Sequence, residues 1–207
     1  MKTQPETMRN HWWWRPGWSV GRRFYTWHLT FEGQDDVHRL AAQYRSALAP
    51  IADALTPIPD QWLHLTMQGI GFVGEAKEAD VHAIAEAARG RLATVPAFDL
   101  QLGPAVLDPE AVLLEVQPDE PVRSIRDAIR GAIGDVLSEV PEKAEGFTPH
   151  VSVAYSAAEG PADPIAQILA GLDMAPATAR ISAAELIVIH RDNLMYEWES
   201  LANVPLG

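Results

Sequence analysis

Two short stretches of this 207-residue chain combine an imidazole with a hydroxyl two residues further on. The first is Trp62-Leu63-His64-Leu65-Thr66-Met67-Gln68, and the second is Thr148-Pro149-His150-Val151-Ser152-Val153-Ala154. Side chains of an extended strand alternate between faces, so His64 and Thr66 point one way while Leu63, Leu65 and Met67 point the other. His150 and Ser152 repeat the arrangement, with Val151 and Val153 behind them. Two imidazoles facing one cleft can serve as general base and general acid, because an unperturbed histidine titrates near neutral pH. Two hydroxyls beside them can donate hydrogen bonds to the non-bridging oxygens of a phosphate as charge builds there. A 2′,3′-cyclic phosphate suits this set: one histidine activates water and the other protonates the departing ribose oxygen. Run backwards, with an RNA hydroxyl replacing water, the same site ligates. A bell-shaped pH profile with two near-neutral limbs is the expectation.

A third such pair, His28-Leu29-Thr30, lies on an earlier strand. Spacing does not separate the three; context does. His64 and His150 stand 86 residues apart, each followed by an apolar residue and a hydroxyl and each entered through prolines, Pro57 and Pro59 for the first and Pro149 for the second. The elements needed to present them read as strands over residues 23–31, 62–73 and 148–156, and a hairpin over 98–107 and 112–117. Residues 180–190 and 195–201 read as a closing hairpin turned by Arg191-Asp192-Asn193. Helices are expected over 35–49, with Val37, Leu40, Ala41, Tyr44 and Leu48 inward, and over 79–95, 121–140 and 164–172. Hairpins interleaved with helices predict an α+β fold with largely antiparallel sheets rather than a doubly wound parallel one. No linker divides the chain, so residues 1–207 read as a single two-lobed domain in which 1–21 form an aromatic and basic N-terminal arm.

Charge bounds the ligand. The chain carries a formal −12, which argues against coating duplex nucleic acid, yet residues 1–31 hold five basic side chains against Glu6 alone. A basic corner on an acidic body fits a short anion better than a long one. There is no cysteine and no His-Glu-x-x-His run, and no carboxylate repeats beside the two motifs, so neither a metal nor another cofactor is expected. Apolar runs are too short to span a bilayer, and no secretory signal is read at the start, so the cytoplasm is the expected location.

The pair His64-Leu65-Thr66 and His150-Val151-Ser152 resembles the two motifs of the two-histidine phosphoesterases, the superfamily of 2′-5′ RNA ligases and RNA cyclic phosphodiesterases. Residues 22–31 and 62–72 further resemble a bacterial subgroup of 2′-5′ RNA ligase family proteins, and the likeness in element order runs from Arg22 onward. The resemblance implies two lobes related by a pseudo-twofold axis, antiparallel sheets lining a central cleft, and helices outside. It implies catalysis by His64 and His150, phosphate binding by Thr66 and Ser152, and substrates that are RNA ends or small cyclic nucleotides. It also assigns His28, on the first strand, no more than a supporting role. His28, Trp14, Arg15, Tyr155 and Arg191 are candidates for substrate contact, while the other tryptophans of the arm are expected to pack. The alternative is a nucleotide or RNA-end binding module of the same fold with little turnover.

Overall fold

The computed structural model describes residues 4–207. In chain order it contains β1 (Thr7–Met8), β2 (Phe24–Thr30), α1 (Asp35–Leu48), β3 (Leu55–Pro57), β4 (His64–Phe72), α2 (Glu78–Leu92), β5 (Phe98–Asp108) and β6 (Ala111–Gln117). These are followed by α3 (Glu120–Val136), β7 (His150–Ser156), β8 (Gly160–Pro161), α4 (Asp163–Ala170), β9 (Ala177–Ile181), β10 (Ala183–His190) and β11 (Glu197–Pro205). The fold is α+β with antiparallel pairing throughout its sheets, as the interleaved hairpins require.

Two sheets carry the motifs. The first runs β11-β10-β2-β4 and the second β3-β7-β6-β5-β9. Helices α2 and α3 back the first, while α1 and α4 back the second. The periodic face read from the sequence for α1 is the buried one, Val37, Leu40, Ala41, Tyr44 and Leu48; α3 buries Val122, Ile125, Ile129 and Ile133, while Leu137, which continues that spacing, lies past its end and is half-buried. Behind the motifs, Leu65, Val151 and Val153 are fully buried, so each strand is clamped by its apolar side and turns its polar side outward. Truncating Leu65 to alanine would cost roughly 2–5 kcal/mol, the range for a buried leucine.

Three features differ from the sequence reading. Residues 180–190 are not one strand. The chain leaves the second sheet at Ile181 and enters the first at Ala183, and with Ser182 alone between them the two strands read as one. Helix α3 stops at Val136, because Leu137 takes an extended conformation (φ −100°, ψ 143°) four residues before Pro141. The loop that follows is held against β4 by a buried arginine: Arg126 donates to the carbonyls of Met67, Ala144 and Lys143. The pairs β1–β8 and β3–β7 are too short to leave a periodic signal. Among the described residues no helix is long and apolar enough to cross a membrane.

Candidate active site

His64 and His150 each begin a strand, and both are oriented in the same way. His64 Nδ1 donates to the carbonyl of Trp62 at 2.8 Å, and His150 Nδ1 donates to the carbonyl of Thr148 at 2.9 Å. A carbonyl only accepts, so the proton of each neutral ring sits on Nδ1 and Nε2 is left with its lone pair. The approach is local in both cases. Trp62 ends a 3-10 turn and Leu63 is extended; Pro149 holds the chain before His150. Both histidines, with Thr66 and Ser152, line one cavity of about 440 Å3.

The surroundings of the two histidines differ. His28 faces Thr66 across the β2–β4 ladder, and its ring lies parallel to that of His64, 4.4 Å away at 4°. Trp198 stands edge-on to both rings. His28 Nε2 is 3.4 Å from Thr66 Oγ1, while its Nδ1 is buried without a partner. Burial holds His64 down to about 4, with the neighbouring His150 adding to the effect and the Trp62 carbonyl opposing it. Burial, reinforced by His64, also holds His28 well below the ordinary imidazole range. Both rings are therefore neutral at pH 7. His150 is exposed. Desolvation thus takes His64 out of the near-neutral range in which both histidines were expected to titrate.

The N-terminal arm supplies a wall of the cleft. His11, absent from the sequence candidates, stacks on Tyr155 (4.1 Å, 19°) and meets the Tyr196 hydroxyl through Nε2 at 3.1 Å. Its Nδ1 lies 3.3 Å from Glu110 Oε2 but outside hydrogen-bond geometry. Burial, with Arg15 and Arg191 nearby, holds His11 at about 3, so that approach is not an ion pair at neutral pH. Arg15 lines the cavity, with Nη2 committed to Glu110 at 2.7 Å. Tyr155 lines it as well, and burial pushes its phenol well above the usual range, so it remains a donor.

Two candidates fall elsewhere. Arg191 is buried beneath the arm, where it donates to the His11 carbonyl and sits among the rings of Trp12, Trp14, Trp18 and Tyr196, 5.4–6.0 Å from their centres. It anchors the arm rather than facing the cleft. Trp14 is about half exposed and does not line the cavity. Trp12 is buried, with its indole N–H on Thr56, which agrees with a packing role, whereas Trp13, also expected to pack, is half exposed with its indole N–H on Glu110.

Phe24 and Thr26 line the cavity together with His28, as their shared strand parity implies. Tyr196, Glu110 and Glu142, from turns and loops, and Asp108, the last residue of β5, had no such local signal, since tertiary structure alone brings them in. Asp108 and Glu142 also line an adjoining cavity of about 350 Å3, which shares Thr66, Leu113 and His150 with the first. Among the described residues no cluster of three or more histidines and carboxylates is arranged to hold a metal ion.

Residues 32–193 match the family model described as the 2′-5′ RNA ligase superfamily. No curated protein matches the sequence. Among solved structures, TT0787 of Thermus thermophilus is similar with a TM-score of 0.67 at 14% identity, covering 88% of this chain and 97% of that one. LigT of E. coli, in a complex with 3′-AMP, gives 0.66 at 17% identity, over 89% of this chain and 98% of its own. A conserved protein of Agrobacterium tumefaciens, ATU0111, gives 0.59 at 17% identity, over 88% and 85%. At these identities the structures speak for the fold, while the family match spans well over half the sequence. The chain belongs to the 2′-5′ RNA ligase superfamily.

Proposed function

We propose that this protein is a metal-independent phosphoesterase that opens 2′,3′-cyclic phosphates on RNA ends or small nucleotides, and that the same site can run in reverse as a 2′-5′ ligase. The observation that carries the reading is the matched pair of Nδ1-to-carbonyl bonds, which leaves two imidazole Nε2 atoms on one cavity beside two hydroxyls. The difference in burial supports an order of roles. His64, kept neutral by desolvation, takes a proton from water as its oxygen attacks phosphorus. His150, reached by solvent, acts as the imidazolium: its Nδ1 proton stays in the hydrogen bond to the Thr148 carbonyl and its Nε2 proton passes to the ribose oxygen as that P–O bond breaks. Thr66 and Ser152 donate to the non-bridging oxygens. With its proton on Nε2, His28 donates to Thr66 Oγ1 and leaves the Thr66 hydroxyl hydrogen free for the phosphate. LigT in complex with 3′-AMP shows a similar fold holding a nucleoside monophosphate, which agrees with a nucleotide at this cleft.

The test is turnover of nucleoside 2′,3′-cyclic monophosphates with EDTA present, by the wild type and by His64→Ala and His150→Ala. Hydrolysis by the wild type and its loss in both variants is the expected result. Nucleotide binding without turnover in the wild type would instead make the cleft a binding module.

A further inference from the structure

The N-terminal arm precedes the segment that matches the superfamily, yet it builds one end of the cleft. It is fixed to both sheets. On the five-stranded side the Arg9 N–H donates to Pro109 O, the His11 N–H to Ser156 O, and Arg15 to Glu110. On the four-stranded side Arg191 holds the His11 carbonyl, and Trp18 packs on Phe24 and Phe72 at 5.7 and 5.2 Å. Gly17, at φ 82°, lies so close to Phe72 that a Cβ would come within 2.6 Å of the ring. The arm thus crosses from one sheet to the other beside the motif residues. His11, Arg15 and Trp18 of the arm line the cavity there.

Charge closes the other direction. Among the described residues lining the larger cavity, Arg15 is the sole guanidinium or ammonium, and it is committed to Glu110, while Asp108, Glu110 and Glu142 are carboxylates. His11, His28 and His64 are held neutral by burial. A second cavity adjoins the first, and Asp108 and Glu142 line both, beside Thr66 and His150. Among the described residues lining the second cavity, the one arginine or lysine is Arg126, which is spent on three backbone carbonyls. Clefts that track a nucleic-acid backbone place cations along its path, and this one places carboxylates.

We infer, on the reading of the site given above, that the arm and the carboxylates Asp108 and Glu142 restrict the substrate to a single nucleoside 2′,3′-cyclic phosphate, with its nucleoside under the arm against Trp18 and Phe24. The cyclic diester is a monoanion and brings one negative charge to the cleft. An RNA oligomer ending in the same group adds one charge per nucleotide, and each must pass the two carboxylates.

The experiment compares kcat/KM of the wild type for adenosine 2′,3′-cyclic phosphate and for a short RNA oligomer carrying the same terminal group. The mononucleotide is preferred by about tenfold or more, and added salt narrows the gap because it screens the repulsion. Asp108→Asn combined with Glu142→Gln raises the value for the oligomer and closes the gap. Trp18→Ala raises KM for the mononucleotide more than it lowers kcat, and thermal unfolding of each variant checks that the fold is kept. An oligomer used as well as the mononucleotide, or a ratio that the double variant leaves in place, overturns the inference. If the wild type hydrolyses neither, the proposed reaction falls. The ratio of the two dissociation constants, measured by calorimetry on the same protein, then decides the selectivity separately.

Discussion

Strands β4 and β7 both begin on a histidine tied through Nδ1 to the carbonyl two residues back, but across the ladder Thr66 meets His28 whereas Ser152 meets Leu113. On the first sheet an imidazole stacks on His64, and Trp198 stands edge-on to both rings. On the second, His150 stands at the rim, open to solvent. The repeated motif therefore supplies two chemically identical groups, and their neighbours make them unequal. Desolvation favours the neutral form of an imidazole, the form a base needs. In the proposed reaction, solvent at His150 would provide a route for replacing the proton it donates. An acid–base pair needs such inequality, since two groups of one protonation state cannot take and give a proton in the same step.

The comparison breaks first on the histidines themselves. His64→Ala and His150→Ala are each expected to lower kcat by about 10²–10⁴-fold, the usual range for a general acid or base. Steady-state rates on a cyclic mononucleotide measure this, and wild-type turnover in either variant would end the pairing. The next effect is on stability. His64 and His11 titrate at about 4 and about 3 in the folded chain, below the ordinary 6.5. Between those values and 6.5 the unfolded chain binds more protons. Stability is therefore complete above about pH 6.5 and declines as pH falls toward 4, with His64 alone contributing on the order of 3 kcal/mol. Urea unfolding across this window should show the decline in the wild type and a shallower one in His64→Phe; equal slopes would mean that His64 is not desolvated.

The hydroxyls come third. Thr66→Val and Ser152→Ala should each cost roughly ten- to hundredfold in kcat, somewhat below the loss of a strong oxyanion donor. Single-turnover rates in both variants check this. A loss confined to Thr66→Val would place the phosphate on the four-stranded sheet and undo the symmetric reading.

How much of this was legible follows from the range of each signal. The alternation through Leu65 and Val151 and the helical face of α1 are local patterns, and both are present as read. Strand parity put Phe24 and Thr26 on the side of His28, and all three line the cavity. The break between β9 and β10 was not read, because one residue, Ser182, is all that separates the two strands; the shift of buried positions from odd-numbered (Ala179, Ile181) to even-numbered (Ala184, Leu186) marks it. His11 and Tyr196 are 185 residues apart, so no spacing in the sequence could announce their contact. Arg191 sits in a turn that suggested an open ligand contact; the arm that covers it comes from the far end of the chain. The motif strands were readable because strand geometry alone aims their side chains, and the arm was not because tertiary contacts alone aim it.

The smallest and most discriminating effect concerns His28. His64 is faced by His28 from β2, by Tyr196 and Trp198 from the last hairpin, and by His150 as the nearby titratable group of β7. Of these, His28 covers a whole face of the ring. His28→Gln removes the stack and admits water while keeping an amide that can reach Thr66. With less desolvation His64 titrates higher, so the acidic limb of kcat/KM should move up from near pH 4 by about one unit, a change worth about 1.4 kcal/mol. The direction follows from the base role: protonated His64 cannot accept from water, so a higher pKa removes activity at a higher pH. NMR titration of the His64 ring in the same variant separates this from a general loss of structure. An activity loss with the limb unmoved would make His28 a support for Thr66 alone, and the asymmetry between the sheets would then rest on burial by Trp198 and Tyr196.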